Sequence, residues 1–119
     1  MTPLERLLAR EHVTAVDAAG AAAFTREPAA GLLLLPGDPS RPEVIDVAVV
    51  MGELKEKFPT LRVAVAKVGA EPEMRASFGV TTFPSLLFVR GGEVRTRLAR
   101  MQAWSTYEGA ALALQEDSP

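Results

Sequence analysis

The chain has no cysteine among its 119 residues, and this absence excludes several kinds of chemistry. Without a thiol there is no disulfide, no thiolate metal site, no cysteine nucleophile and no dithiol redox reaction. The sequence also has a single histidine, His12, so no second imidazole can complete a metal site. We interpret His12 as a surface residue. We predict no catalytic residue, no metal and no cofactor for this chain.

Long apolar runs and an excess of basic charge are missing as well. No apolar run approaches the roughly 20 residues of a membrane span, and Glu5 and Glu11 stand where a signal peptide would have its apolar stretch. The net charge is -2 and there is no lysine-rich patch, whereas nucleic-acid binding requires several phosphate contacts from one face. We therefore expect a cytoplasmic protein without membrane insertion or nucleic-acid partners, and the acidic balance favours basic partners.

What is present is the pattern of one globular domain over residues 1–119, with 48% hydrophobic residues. Helical patterns alternate with short apolar runs, which predicts parallel strands joined by crossover helices. Gly91-Gly92 between two strand patterns predicts a hairpin and therefore one antiparallel pair. We predict an α/β fold in which a mixed central β-sheet is flanked by helices on both faces. The predicted helices cover 2–10, 18–27, 41–57, 71–78 and 104–114, and the predicted strands cover 13–16, 31–35, 61–68, 85–90 and 93–100.

Three local predictions concern individual side chains. The tetrad Ser40-Arg41-Pro42-Glu43 fits a capping box, in which the serine hydroxyl and the glutamate carboxylate accept hydrogen bonds from amide groups of the first helical turn. The inner face of the following helix is predicted to comprise Ile45, Val49 and Leu54. Alternation in the last strand predicts that one face carries Val94, Thr96 and Leu98, and that the other carries Arg95 and Arg97.

The stretch from Leu61 to Val94 contains a strand, Glu71-Pro72, a short helix, Gly79-Val-Thr-Thr-Phe-Pro84, an apolar strand and a Gly-Gly hairpin. This order resembles the thioredoxin fold, and the resemblance covers almost the whole chain. It implies a cis peptide bond at Pro84. It also places the redox tetrapeptide Cys-Gly-Pro-Cys on Ser40–Glu43, where only the proline remains, and places the family's buried acid and lysine on the leucine run 32–35 and near Val65. The resemblance therefore implies a thioredoxin-like scaffold without thioredoxin chemistry.

A narrower resemblance rests on Leu-Leu-Pro-Gly-Asp-Pro around Pro36, Arg-Pro-Glu-Val-Ile-Asp ending at Asp46, and Phe-Gly-Val followed by Phe-Pro84. These segments resemble the thioredoxin-like accessory proteins encoded with uptake [NiFe]-hydrogenases, the hydrogenase expression or formation proteins. The resemblance implies a noncatalytic chaperone or assembly factor. Its partner would be the hydrogenase small subunit precursor, bound through the twin-arginine signal peptide before export. Other hydrogenase accessory proteins are further implied partners.

A receptor for such a peptide needs carboxylates beside an apolar groove, because arginine pairs bidentately with a carboxylate and keeps its charge when partly desolvated. In the thioredoxin fold, the loop before the long helix and the loop with the cis-proline meet at one end of the sheet. The backbone of the latter loop would pair with an extended partner chain. The peptide-binding residues that we predict are Asp38, Glu43, Asp46, Thr82, Phe83 and Pro84.

Each of these residues also has a purely structural interpretation. Glu43 fits the capping box, Asp38 fits a Gly-Asp-Pro turn, and Asp46 lies in the first turns of a helix, where a carboxylate interacts favourably with the helix dipole. Phe83 faces either the groove or the core. A thioredoxin-like module for oligomerisation or docking, in which the acidic residues play no part, is the alternative function, and the sequence does not predict an oligomeric state.

Overall fold

The computed structural model describes residues 2–10 and 13–116, and the prediction for His12 lies outside them. None of the helices in this part of the chain is long and apolar enough to span a membrane. The helices and strands occur in the order α1 (Pro3–Leu8), β1 (Val13–Val16), α2 (Ala18–Arg26), β2 (Gly31–Leu35), α3 (Pro42–Lys57), β3 (Arg62–Ala66), α4 (Glu71–Phe78), β4 (Ser85–Arg90), β5 (Glu93–Ala99) and α5 (Trp104–Glu116).

The five strands form one mixed sheet in the order β1-β3-β2-β4-β5. β1 and β2 both pair with β3 in parallel, and β4 pairs with β2 and β5 in antiparallel fashion. The register aligns Leu35 with Ser85, and Ser85 with Ala99. The end of β2, the start of β4 and the end of β5 therefore lie side by side at one end of the sheet.

The leucine run of β2 is the centre of the molecule, and all five of its residues are buried. Side chains alternate between the two faces of a strand, so Leu32 and Leu34 join the core under α1, α3 and α5. Leu33 and Leu35 join the second core, under α2 and α4. The predicted arrangement of helices on both faces of a mixed sheet is thus confirmed.

Several element boundaries follow from local chemistry that is visible in the sequence. The Thr2 side chain accepts a hydrogen bond from the backbone of Glu5, and the Glu5 side chain accepts one from the backbone of Thr2, so α1 begins with a capping box. α4 ends at Gly79, whose φ of 67° is left-handed, as is common at helix C-termini. Gly91 and Gly92 also have positive φ, 59° and 89°, as the predicted tight hairpin requires.

The prediction for the inner face of α3 is largely wrong. Leu54 is fully buried, but Val49 is 43% exposed and Ile45 is only half-buried. α3 has apolar residues on most of its circumference, so periodicity alone does not fix which side meets the sheet. In place of Ile45 and Val49, the residues just before them, Val44 and Ala48, are buried. The full buried side consists of Val44, Val47, Ala48, Val50, Met51 and Leu54.

The prediction that Val94 and Leu98 share a face is also wrong. Val94 packs against the core under α2 and α4, whereas Leu98 packs against the core under α1, α3 and α5. The cause is a register shift: Phe88 pairs with Thr96, but the next residue, Val89, pairs with Val94. One extra residue in β5 forms a bulge, which reverses the alternation beyond it.

Candidate functional site

Three segments converge at the end of the sheet where β2 finishes. Residues 36–41 follow β2, residues 79–84 precede β4, and residues 100–103 follow β5. The aligned strand ends bring these segments together. We call this surface the Pro84 end, defined by the loop 36–41, the first turn of α3, the loop 79–84 and the segment 100–103.

The loop that precedes β4 is anchored on both sides. The Phe83–Pro84 peptide bond is cis, and the carbonyl of buried Pro84 accepts a hydrogen bond from the backbone of Arg100 at 2.8 Å. The Ser85 hydroxyl donates a hydrogen bond to the carbonyl of Thr82. The Phe83 ring packs against the core under α2 and α4, with the Arg75 guanidinium 5.5 Å from its centroid. Of the two orientations left open by the sequence, the structure thus shows the ring facing the core.

The Phe83 ring is packed against the core, but the Phe83 backbone lacks hydrogen-bond partners in the described part of the chain. Within residues 2–10 and 13–116, neither its N–H nor its carbonyl makes a hydrogen bond. Gly37 lies against Phe83 so closely that a Cβ added to the glycine would be 2.7 Å from the Phe83 Cβ. The loop after β2 therefore meets the cis-proline loop directly, as expected, and leaves a hydrogen-bonding edge at Phe83.

The Glu43 carboxylate is already paired with an arginine of the same chain. Arg100 donates from its Nε to both carboxylate oxygens, at 2.7 and 2.8 Å, and the Met101 backbone donates a third hydrogen bond at 2.9 Å. Two hydrogen bonds lower the pKa of Glu43: the one from Arg100 has the larger effect, and the one from Met101 has the smaller effect. Sequence reasoning missed Arg100, which is 57 residues away and has an unusual φ of 63° for a side-chain-bearing residue.

These contacts show that the predicted capping box at Ser40–Glu43 is wrong. The N-cap of α3 is Arg41, which makes no side-chain capping hydrogen bond. The Ser40 hydroxyl instead donates to Asp38 Oδ1 at 2.7 Å. Ser40 pairs with Asp38 in the loop, and Glu43 pairs with Arg100 and Met101 after β5, so neither side chain caps α3.

Asp38 is an exposed carboxylate with one occupied oxygen. Its Oδ1 accepts from the Ser40 backbone at 2.9 Å as well as from the Ser40 hydroxyl, and these two hydrogen bonds lower the pKa of Asp38. No hydrogen bond in the described part of the chain reaches Oδ2. Asp38 is therefore an oriented anion with a carboxylate oxygen facing no protein donor.

A large groove begins beside Asp38. It has a volume of about 460 Å³ and contains the exposed side chains of Leu8 and Val68, which are 38% and 76% accessible. Pro39 and Ser40, which follow Asp38 in sequence, also line it. The remaining lining is mainly apolar and consists of Thr2, Leu4, Glu5, Ala15, Pro36, Val65, Ala66 and Lys67.

Asp46 lies further along α3 and borders a different groove, between α3 and the start of α5. That groove is shared with Glu53, Met101 and Trp104. Met101 also contacts Glu43, so Asp46 and Glu43 both neighbour the segment after β5. Sequence reasoning missed Glu53 and Trp104. The seven-residue spacing of Asp46 and Glu53, two helical turns, is the signal that would have put the two carboxylates on one side of α3.

No group of three His, Asp or Glu residues suited to a metal ion occurs within 2–10 and 13–116. The Pro84 end instead combines carboxylates, an unpaired backbone edge and apolar surface. Such a surface can bind an extended, positively charged polypeptide.

Solved structures with the same fold include thioredoxins. Mitochondrial thioredoxin 3 of Saccharomyces cerevisiae superimposes with a TM-score of 0.72 at 10% identity, covering 85% of this chain and 93% of that one. A mutant thioredoxin of Halobacterium salinarum gives 0.74 at 18% identity, covering 90% and 93%. The predicted thioredoxin-like fold is thereby confirmed. Since the chain has no cysteine, fold and site define a thioredoxin-fold protein without a dithiol centre.

The sequence comparison defines the family. Residues 4–107 match the family described as Hydrogenase-1 expression protein HyaE, and the chain belongs to it. The predicted kinship with hydrogenase expression or formation proteins is confirmed.

Relatives from three bacteria carry the name hydrogenase expression/formation protein. HupG of Bradyrhizobium diazoefficiens is 44% identical over 95 residues, which span 78% of this chain but 59% of that protein. HupG of Rhizobium leguminosarum bv. viciae is 38% identical over 118 residues, spanning 92% and 78%. HoxO of Azotobacter vinelandii is 32% identical over 105 residues, spanning 87% and 71%.

Proposed function

We propose that this protein acts in hydrogenase maturation as a noncatalytic chaperone that binds the small subunit precursor of a [NiFe]-hydrogenase. The family to which the chain belongs supports the role in maturation. The observation that carries the choice of ligand is the position of Asp38, an exposed carboxylate next in sequence to Pro39 and Ser40, which line the mainly apolar groove of about 460 Å³. A twin-arginine signal peptide, basic and then apolar, has the complementary chemistry.

Each part of the Pro84 end has a role in this proposal. Asp38 receives an N–H of a peptide guanidinium on Oδ2, because Oδ1 already accepts two hydrogen bonds from Ser40 and arginine keeps its charge when partly desolvated. The apolar part of the peptide lies in the neighbouring groove. The unpaired backbone of Phe83, next to Thr82 and Pro84, forms strand-like hydrogen bonds with the extended chain.

Glu43 and Asp46 extend the acidic surface of this site. The pair formed by Glu43 and Arg100 shows that a carboxylate here already accommodates a guanidinium, and a peptide arginine would have to compete with Arg100 for it. Ion pairs at exposed positions are individually weak, so several of them give the reversible binding that a chaperone requires. The protein would act in the cytoplasm, before export, and other hydrogenase accessory proteins are further candidate partners.

We also propose that the protein has no thiol–disulfide activity. Exchange requires a thiolate that attacks a disulfide sulfur, and Ser40-Arg41-Pro42-Glu43 offers no sulfur atom. An insulin-reduction assay is therefore expected to show no activity above a protein-free control, and reduction would refute this part of the proposal.

The test is a titration of the full chain with a synthetic twin-arginine signal peptide, measured by calorimetry. Replacing the Arg-Arg pair by Ala-Ala is expected to weaken binding more than the loss of one carboxylate does, because both guanidinium groups are removed. Asp38→Asn is expected to weaken binding of the unmodified peptide about two- to fivefold, the range of one exposed ion pair. Glu116→Gln, an equally exposed change near the opposite end of the sheet, is expected to have no effect.

Two results would contradict the proposal. One is undiminished affinity for the Ala-Ala peptide, and the other is failure of the protein to bind the precursor at all. A folded triple variant, Asp38→Asn with Glu43→Gln and Asp46→Asn, separates the alternative function. If it binds the precursor with unchanged affinity, the acidic residues are irrelevant and a docking or oligomerisation module is the better description.

A further inference from the structure

Exposed apolar side chains are concentrated in the groove between α3 and α5. We call it the Trp104 groove, and it is lined by Asp46, Val49, Val50, Glu53, Met101 and Trp104. Val49 is 43% exposed, Met101 41% and Trp104 37%. These are three of the six large exposed apolar side chains in the part of the chain that the structure describes. Tryptophan and methionine are enriched in protein interfaces and not in free surfaces.

The charges of the Trp104 groove all have one sign. Asp46 and Glu53 both line it, and no lysine or arginine does. Neither carboxylate has a hydrogen bond or ion pair with any residue within 2–10 and 13–116. Their spacing of seven residues places them about 10 Å apart along α3. The groove is therefore an apolar cleft between two unpaired anions.

Several basic side chains around the groove are paired with carboxylates. A second groove between α1 and α3 shares Val49 and Glu53 and contains Arg6 and Arg10, but Arg10 pairs with Glu56 at 3.8 Å. Arg100, which precedes Met101, is held by Glu43. Lys57, one turn after Glu53 on α3, pairs with Glu108 of α5. Arg10, Arg100 and Lys57 are thus each paired with a carboxylate that does not line the groove.

The groove is small. Its volume is about 290 Å³, at the lower limit of the roughly 300–1,000 Å³ that is common for small-molecule sites. It suits one or two side chains of a partner protein. A cationic side chain at either end would neutralise a carboxylate, and one near Trp104 would also gain a cation–π contact.

We propose that the Trp104 groove docks a short cationic segment of a partner protein, in which an apolar side chain lies between two arginines about 10 Å apart. In a polyproline II conformation, which has three residues per turn and rises about 3.1 Å per residue, positions i and i+3 lie on the same side of the chain at about this spacing. This docking surface is separate from Asp38 and the cis-proline loop. Asp46 and Met101 border both surfaces, so the test rests on Glu53.

The chain provides its own reporter, since Trp104 is its sole tryptophan. The probe is the peptide acetyl-Gly-Arg-Leu-Leu-Arg-Gly-amide, titrated into the full-length protein while the emission of Trp104 is recorded. We expect a saturable blue shift, because the leucines displace water from the indole. The peptide with both arginines replaced by glutamate is expected to produce no shift.

Variants locate the binding. Glu53→Lys is expected to weaken binding of the probe peptide at least fivefold. Glu116→Lys, which changes the net charge equally, is expected to leave the affinity unchanged. Asp38→Asn is expected to have no effect, so failure at this surface and failure of the proposed signal-peptide site are distinguishable. The proposal is overturned if Trp104 emission does not respond to millimolar peptide, if the glutamate peptide binds equally well, or if Glu53→Lys and Glu116→Lys weaken binding alike.

Discussion

The contact between Gly37 and Phe83 gives the sharpest test of how the Pro84 end is built. Gly37 has a φ of 73°, and a Cβ added there would lie 2.7 Å from the Phe83 Cβ. Gly37→Ala therefore has two costs: about 1–2 kcal/mol for a left-handed alanine, and about 1–3 kcal/mol for overpacking against a rigid neighbour. Together they predict a loss of about 2–5 kcal/mol in the free energy of unfolding.

Gly69 provides the matched control. It also has a positive φ, 89°, but no heavy atom lies within 4 Å of the position that a Cβ would occupy there, so Gly69→Ala carries only the backbone cost of about 1–2 kcal/mol. The difference between the two variants isolates the clash with Phe83. Urea denaturation of both variants measures it, and at about 4 °C per kcal/mol for a domain of this size thermal melts should rank them in the same order.

Domains of this kind have total stabilities of about 5–15 kcal/mol, so both variants are expected to retain enough stability for measurement at 25 °C. Equal losses for Gly37→Ala and Gly69→Ala would refute the close packing of the two loops. A neutral Gly37→Ala would refute both the packing and the left-handed backbone at that position. Because Phe83 must move to admit the alanine, Gly37→Ala is also expected to weaken binding of the signal peptide.

Two further predictions concern the segment after β5. The Tyr107 hydroxyl accepts a hydrogen bond from the Gln102 backbone at 3.0 Å and donates one to the Arg100 carbonyl at 3.2 Å. Tyr107→Phe should therefore lower the free energy of unfolding by about 1–2 kcal/mol, measured by urea denaturation. An unchanged midpoint would show that these hydrogen bonds contribute nothing. Arg100 lowers the pKa of Glu43 from its ordinary value of 4.5, so the ionised carboxylate stabilises the folded state above pH 4.5, and this contribution is lost as the pH falls through the lowered pKa. The thermal midpoints of the wild type and Glu43→Gln should therefore differ at pH 7 and converge toward pH 3; a constant difference would contradict the pairing with Arg100.

Much of the fold is encoded in short-range signals. The apolar run 31–35 has the composition of a strand buried on both faces, and it is the central strand. Gly79 and Gly91-Gly92 mark a helix end and a hairpin because left-handed backbone is cheap only for glycine. Each of these signals acts within a few residues, which is why the sequence alone locates the elements well.

The predictions that failed depend on contacts distant in sequence. Ser40 and Glu43 match a capping box, but Arg100 is brought to Glu43 only by the pairing of β4 with β5. The bulge in β5 has no marker in the sequence around Arg95. Val49 is as apolar as its buried neighbours, and its exposure is decided by the rotation of α3 against the sheet.

The candidate site also combines features that the sequence predicts with features that depend on contacts distant in sequence. Asp38 and the loop 82–84 were predicted through the resemblance to thioredoxins, and the topology does bring their two loops together. Arg100, Glu53 and Trp104 have no motif of their own. They become visible only when α3, β5 and α5 are packed, because each matters through a neighbour on another element.

The alternating leucines of β2 also determine how the molecule comes apart. Leu32 and Leu34 belong to one core, and Leu33 and Leu35 to the other. If either layer of helices detached, one face of β2 would become exposed to water. The loss of one core would therefore destabilise the strand on which the other core also packs. The chain is thus built to unfold as one cooperative unit, and a ligand held at the end of β2 would stabilise both layers at once.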